Sequence, residues 1–93
     1  MTTPPGRQDI PRLPHGVKIR FDVVRGEHFL LAPERAFALD QAAHAVLELV
    51  DGARSFDDII DVLAARFSEK REVIANDVFA MLDDLGSKRV IEL

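Results

Sequence analysis

Apolar and polar residues alternate strictly along a segment that begins at Val17. Val17, Ile19, Phe21 and Val23 are apolar, and a charged residue follows each of the first three. A period of two is typical of a strand with one face in the core and the other in water. The sequence therefore predicts a first strand here, with its apolar face buried.

Two further strands are predicted directly after the first. Arg25-Gly26-Glu27 is typical of a turn, and the apolar run 28–32 that follows it ends at Pro33. A third short run, residues 36–39, is bounded by Asp40. The simplest arrangement of these segments is a three-stranded antiparallel meander with one apolar face.

After Asp40 the apolar residues recur every three or four positions, which is typical of helices. Asp40 is a suitable N-cap for a first helix, and Asp51-Gly52 is a suitable end for it. Ser55 opens a second helix, with Asp58 three residues later in a capping box.

A third helix is predicted from near Glu69 to about Leu85, with Gly86 as its end. Residues 90–93 form either a last short strand or a packed tail. The predicted fold class is α+β, winged helix-turn-helix-like, with a three-stranded antiparallel sheet followed by three helices.

Prolines dominate the first sixteen residues, at positions 4, 5, 11 and 14. Repeated prolines fix φ and remove backbone donors, which is incompatible with a helix or a central strand. Residues 1–16 are therefore predicted to be a flexible or extended arm, either a tail or the remnant of a linker. Residues 17–93 are predicted to be the folded domain.

Composition narrows the functional classes. The chain has 93 residues, no cysteine and a net charge of −4. This length suits one small core, and the missing cysteines exclude disulfides and thiolate chemistry. A net negative charge disfavours nucleic acid and anionic membranes as partners. The prediction is a cytoplasmic single-domain protein.

No constellation of catalytic residues stands out. His15, His28 and His44 lack the spacing of metal ligands, and Ser55 is better explained as a helix cap than as a nucleophile. The acidic pairs Asp57-Asp58 and Asp83-Asp84 are better explained as structural than as catalytic, because adjacent helical residues point about 100° apart. The prediction is a protein that is not an enzyme, with no catalytic residue, bound metal or cofactor.

A winged-helix DNA-binding protein is one alternative. The third helix carries Lys70, Arg71 and Asn76 near its start, where bases and phosphates could be reached. Asp77 and the pair Asp83-Asp84 follow on the same helix and would repel phosphates. This alternative therefore depends on fold analogy alone.

A peptide groove is the other alternative. On a helical wheel, Phe79 lies more than a quarter-turn from the centre of the apolar stripe, with Ala75 and Leu82 on the shoulder between. Phe79 either packs under neighbouring elements or lines a groove for a partner. The third strand has no lysine or proline within it to block the addition of an extended peptide.

An ordered series of short motifs along the chain resembles the PqqD family of pyrroloquinoline quinone (PQQ) biosynthesis. The resemblance runs from about residue 11 to the C-terminus. Its landmarks are Pro11 with Leu13, Arg20-Phe21-Asp22, Arg25-Gly26, Leu30-Leu31-Ala32-Pro33-Glu34, Leu39, Asp51-Gly52, Asp77-Val78, Leu82 and Leu85.

The resemblance implies a peptide chaperone, a recognition element for ribosomally synthesised and modified peptides (RiPPs). Such a domain binds the precursor peptide PqqA by strand addition and presents it to the radical S-adenosylmethionine enzyme PqqE. Natural fusion to PqqC is a further implication. By position, the expected peptide-binding residues are Arg35, Ala36, Phe37, Ala38, Leu39, Ala75, Phe79 and Leu82. A shift of one residue in register would exchange Phe37 and Leu39 for Ala36 and Ala38 in the groove.

Overall fold

A computed structural model describes residues 8–93, so residues 1–7 of the predicted arm lie outside the described part. The three strands form one antiparallel sheet in the order β1-β2-β3. Their bounds are β1 Lys18–Asp22, β2 Glu27–Ala32 and β3 Arg35–Leu39. The central register aligns Ile19 with Leu30 and Leu30 with Phe37.

Three helices follow the sheet, α1 Gln41–Leu47, α2 Phe56–Phe67 and α3 Arg71–Ser87. The predicted order of three strands and then three helices is confirmed. At the start of α2, the Ser55 hydroxyl accepts a hydrogen bond from the Asp58 amide, and the Asp58 carboxylate accepts one from the Ser55 amide. This is the predicted capping box, and it fixes where α2 begins.

The core lies between one face of the sheet and the three helices. Leu30 from the middle of β2 has no exposed surface, and neither do Phe56 and Ile60 of α2 or Leu82 of α3. Each of these four residues belongs to an apolar pattern that is recognisable in the sequence. Their burial is the main favourable contribution to folding.

The apolar alternation in the first strand extends beyond the buried part of the sheet. Phe21 is 49% exposed, and Val23 is 83% exposed in the turn after β1. The prediction that both lie in the core was wrong. Period-two alternation identifies one face of a strand, but it cannot tell how far the helices extend beneath that face.

Gly86 lies inside α3, which continues to Ser87, so the predicted end at Gly86 was wrong. A Cβ at Gly86 would come within 2.8 Å of Leu93 Cδ1. The glycine therefore allows the C-terminal residue to approach the helix closely.

The C-terminal segment is a packed tail with a single β-bridge. Val90 and Ile91 are buried, and Arg12 and Glu92 exchange two backbone hydrogen bonds of 2.9 Å each. Pro11 is buried beside this bridge. These contacts join residues 11 and 12 to the domain, while the division into an arm at 1–16 and a domain at 17–93 stays a prediction. Within residues 8–93, no helix has the length and apolar character that a membrane crossing requires.

Candidate peptide-binding site

The strand β3 is an edge of the sheet. It pairs with β2 on one side, and no other strand of the described part pairs with its second side. An unpaired edge presents backbone N–H and C=O groups in the spacing that another extended chain can match. Within the described part of the chain, the second edge of β3 therefore has backbone groups available for pairing.

The pairing of β3 with β2 decides which side chains of β3 face the helices. Phe37 is opposite the buried Leu30, and Leu39 is opposite His28 on the same face. Because successive side chains point to opposite faces, Ala36 and Ala38 lie on the outer face of the sheet. Phe37 and Leu39 are thus the residues of β3 that a peptide beside the helices would meet.

The first residue of β3 is tied to the end of α3. The Arg35 guanidinium donates a 2.8 Å hydrogen bond from one terminal nitrogen to the Lys88 carbonyl oxygen. Two cations lie near the Phe37 ring: its centroid is 5.8 Å from the Arg35 guanidinium carbon and 5.9 Å from the Lys88 ammonium nitrogen. This arrangement makes a basic, aromatic end where β3 and α3 approach each other.

One side of α3 faces β3 and α1. Ile74 lines a pocket together with Ala42 of α1, and Lys88 reaches Phe37. Met81 lies seven residues after Ile74 and seven residues before Lys88, so these three residues share one side of the helix. Met81 is half-buried against the core. We define the groove as the space bordered by β3, by this side of α3 and by the start of α1.

Sequence reasoning also placed three residues of α3 in the groove, and the structure gives each of them contacts with α2 or with the core. Phe79 stacks on Phe56 at the start of α2, with ring centroids 4.8 Å apart and planes within 14°. Leu82 has no exposed surface, and Ala75 is half-buried against the core. The structure therefore brings Arg35, Phe37 and Leu39 to the groove without these three helix residues, whose contact with a peptide stays a prediction.

The residues of α3 that do face the groove were missed as site candidates. Ile74 and Met81 were assigned to the core stripe, and Lys88 was not connected with them. Their seven-residue spacing was the available signal, because residues two turns apart share a side of a helix.

Three charged side chains of α3 and its C-cap, those of Arg71, Asp84 and Lys88, form ion pairs within the domain. Arg71 pairs with Asp57 and Asp61 of α2 at 2.7 Å each, and these hydrogen bonds raise the pKa of Arg71 above its usual value. Lys88 pairs with Asp84 at 2.7 Å. The pairs of Arg71 join α2 to α3, and the Lys88–Asp84 pair lies at the last turn of α3.

Two histidines that the sequence gave no reason to connect lie against each other. The rings of His28 in β2 and His44 in α1 stack at 3.6 Å, and the Phe21 ring is 4.8 Å from His28. They line a pocket of about 660 Å³ between the sheet and α1. Among residues 8–93, no three histidine, aspartate or glutamate side chains are grouped as metal ligands would be. The stack packs α1 beneath the sheet, next to the end of β3.

A match to a family model identifies the family of this chain. The family model described as coenzyme PQQ synthesis protein D (PqqD) matches residues 27–91. This chain belongs to the PqqD family. The resemblance found in the short motifs of the sequence is thereby confirmed.

Curated relatives agree with this assignment. The chain is 49% identical over 84 residues to the bifunctional coenzyme PQQ synthesis protein C/D of Methylorubrum extorquens, a match covering 90% of this chain and 23% of that protein. It thus spans about a quarter of the bifunctional relative. It is also 49% identical over 78 residues to the PqqA binding protein of Rhodopseudomonas palustris strain BisB5, covering 84% of this chain and 76% of that one.

Two solved structures share the fold. One is the solution NMR structure of the PqqD truncation of Methylobacterium extorquens PqqCD, described as a functional, stand-alone RiPP recognition element. It has a TM-score of 0.81 and 46% identity, covering 95% of this chain and 94% of that one. The crystal structure of PqqD from Xanthomonas campestris has a TM-score of 0.61 and 36% identity, covering 95% and 98%. The α+β fold predicted from the sequence is that of PqqD proteins.

Proposed function

We propose that this protein is a non-catalytic chaperone that binds the precursor peptide PqqA in PQQ biosynthesis. The observation that carries the proposal is the open edge of β3, whose Phe37 lies near Lys88 at the end of α3. Several relatives bear the name PqqA binding protein, which supports the identity of the peptide.

In the proposed mode, the peptide adds as a fourth strand to β3. Main-chain hydrogen bonds supply affinity that depends little on the peptide sequence. Every second side chain of the peptide then faces the groove, where it meets Phe37, Leu39 and Met81. Side-chain contacts of this kind, rather than the main-chain hydrogen bonds, distinguish one extended peptide from another.

A flexible precursor loses conformational entropy when it docks, so part of the interaction free energy is spent on ordering it. The segment beside β3 is held, while the remainder of the peptide stays free to enter the active site of PqqE. Holding the peptide near that enzyme raises its effective concentration there. The chaperone accelerates modification in this way without catalytic residues of its own.

A ¹H–¹⁵N NMR titration with PqqA tests the proposal. We expect amide shifts at residues 35–39 and along the side of α3 that contains Ile74 and Met81, but none along β1, the opposite edge of the sheet. A PqqA peptide of scrambled sequence is the matched control and should give weaker shifts. Shifts confined to β1, or no shifts even with PqqE present, would contradict strand addition at β3.

A further inference from the structure

The groove continues past the end of β3 into a pocket between the helices. This pocket has a volume of about 510 Å³ and includes Gln41 and Ala42, the first residues of α1. Only Asp40 separates them from Leu39, the last residue of β3. One end of a chain paired with β3 would therefore lie close to the pocket.

The pocket has an apolar floor and partly exposed apolar walls. Val46, Leu63 and Val78 form the buried floor. Phe67 is 51% exposed and Val73 is 44% exposed at the walls. Large apolar side chains open to water beside a groove are suited to cover a methylene chain.

Two carboxylates stand among the apolar residues of the pocket. They belong to Glu69, just before α3, and to Asp77 in its second turn. Both residues are exposed, and neither side chain forms an ion pair or hydrogen bond with any residue between 8 and 93. Among residues 8–93, no basic residue lines this pocket. The two acids are thus free to pair with a cation from outside.

We propose that this pocket binds a lysine or arginine side chain of the peptide that pairs with β3. The methylene stem lies over Val46 and Val78, and the charged head meets Asp77 and Glu69. This inference rests on the proposed function, since the peptide is the occupant. It goes further by naming the chemistry of one recognised side chain.

The two ends of the groove also differ in charge, which sets the direction of the peptide. At one end, Arg35 and Lys88 lie near Phe37, with the Lys88 ammonium paired to Asp84. Asp77 and Glu69, unpaired within residues 8–93, lie at the other end. The sheet is antiparallel throughout, and an added strand that continues the pattern runs opposite to β3. The basic residue then lies N-terminal to the segment that pairs with β3.

Reversal of one charge in the pocket tests this proposal. Affinity for PqqA is measured by fluorescence anisotropy with the Asp77→Lys variant. Asp83→Lys is the matched control, because it makes the same charge change at an exposed, unpaired position on another side of α3. We expect Asp77→Lys to bind about fivefold more weakly and Asp83→Lys to bind as the unmodified protein does.

Charge-reversed peptides complete the test. Each lysine or arginine of PqqA is changed in turn to glutamate, and one of these peptides should bind Asp77→Lys more tightly than PqqA does. Equal affinities of the two variants, or no rescue by any peptide, would overturn the pocket assignment. The two proposals can fail separately. If PqqA causes no amide shifts at β3 of the unmodified protein, strand addition is contradicted. If those shifts occur but Asp77→Lys and Asp83→Lys bind PqqA equally, only the pocket assignment is contradicted.

Discussion

The Arg35 guanidinium donates a 2.8 Å hydrogen bond to the carbonyl of Lys88, 53 residues later in the chain. This bond joins the first residue of the edge strand to the C-cap of α3. The carbonyl groups at the end of a helix lack partners within the helix, so Arg35 satisfies one of them. The same bond connects β3 and α3 at one end of the groove.

Loss of the Arg35 side chain should loosen this end of the groove. In Arg35→Ala, we expect faster amide hydrogen exchange at residues 85–88 and weaker binding of PqqA. The free energy of unfolding should fall by less than about 1 kcal/mol, because the bond is exposed. Arg20→Ala is the control, since Arg20 is also an exposed strand arginine but lies on β1. Equal exchange rates in both variants would remove Arg35 from this role.

The two sides of α3 should respond differently to truncation. Met81→Ala should weaken PqqA binding about fivefold, because Met81 lies on the side that faces β3. Phe79→Ala should change affinity less than about twofold, although removal of its stack on Phe56 should lower the free energy of unfolding by about 2 kcal/mol. Calorimetric titration and chemical denaturation measure the two effects. If Phe79→Ala weakened PqqA binding more than Met81→Ala does, Phe79 rather than Met81 would be assigned to the groove.

The turn before α2 should make stability depend on pH. The Asp51 carboxylate accepts hydrogen bonds from the amides of Arg54 and Ala53, which lower the pKa of Asp51 below its usual value. A carboxyl whose pKa is lower in the folded state stabilises the protein above its unfolded pKa, and this contribution is lost as the pH falls through the folded pKa.

We therefore expect Asp51→Ala to have a lower melting temperature than the unmodified protein at pH 7. The difference should shrink as the pH falls below about 4. Asp83→Ala, which removes an exposed and unpaired carboxylate, should melt as the unmodified protein does throughout. A constant difference between pH 7 and pH 3 would contradict the assigned role of the Asp51 carboxylate.

The ion pairs of Arg71 should contribute to the packing of α2 against α3. Arg71→Met keeps much of the apolar stem but leaves Asp57 and Asp61 unpaired near the start of α2. We expect a lower melting temperature at low salt, with the difference reduced at high salt because exposed charges are screened. A deficit that does not change with salt would mean that packing of the stem, rather than charge, is the main contribution.

Much of the fold was predictable because its signals are local. Asp40 and Ser55 cap helices through residues three positions away, and the strands alternate with a period of two. Such patterns need only a few neighbouring residues to specify an element. The edge strand was predictable for the same reason, and the order of short motifs sufficed to indicate the family.

The geometry of the site required the tertiary structure. Phe79 and Met81 are both apolar and two residues apart, so they lie on nearly opposite sides of α3. The sequence determined that α3 has an apolar residue on each of these two sides. Only the tertiary structure decided that Phe79 packs against Phe56 of α2, which leaves Met81 on the opposite side, that of the groove. The Arg35–Lys88 bond and the His28–His44 stack likewise join residues far apart in the chain. Periodicity tells which residues are apolar, whereas long-range contacts choose the neighbour that each side of an element meets.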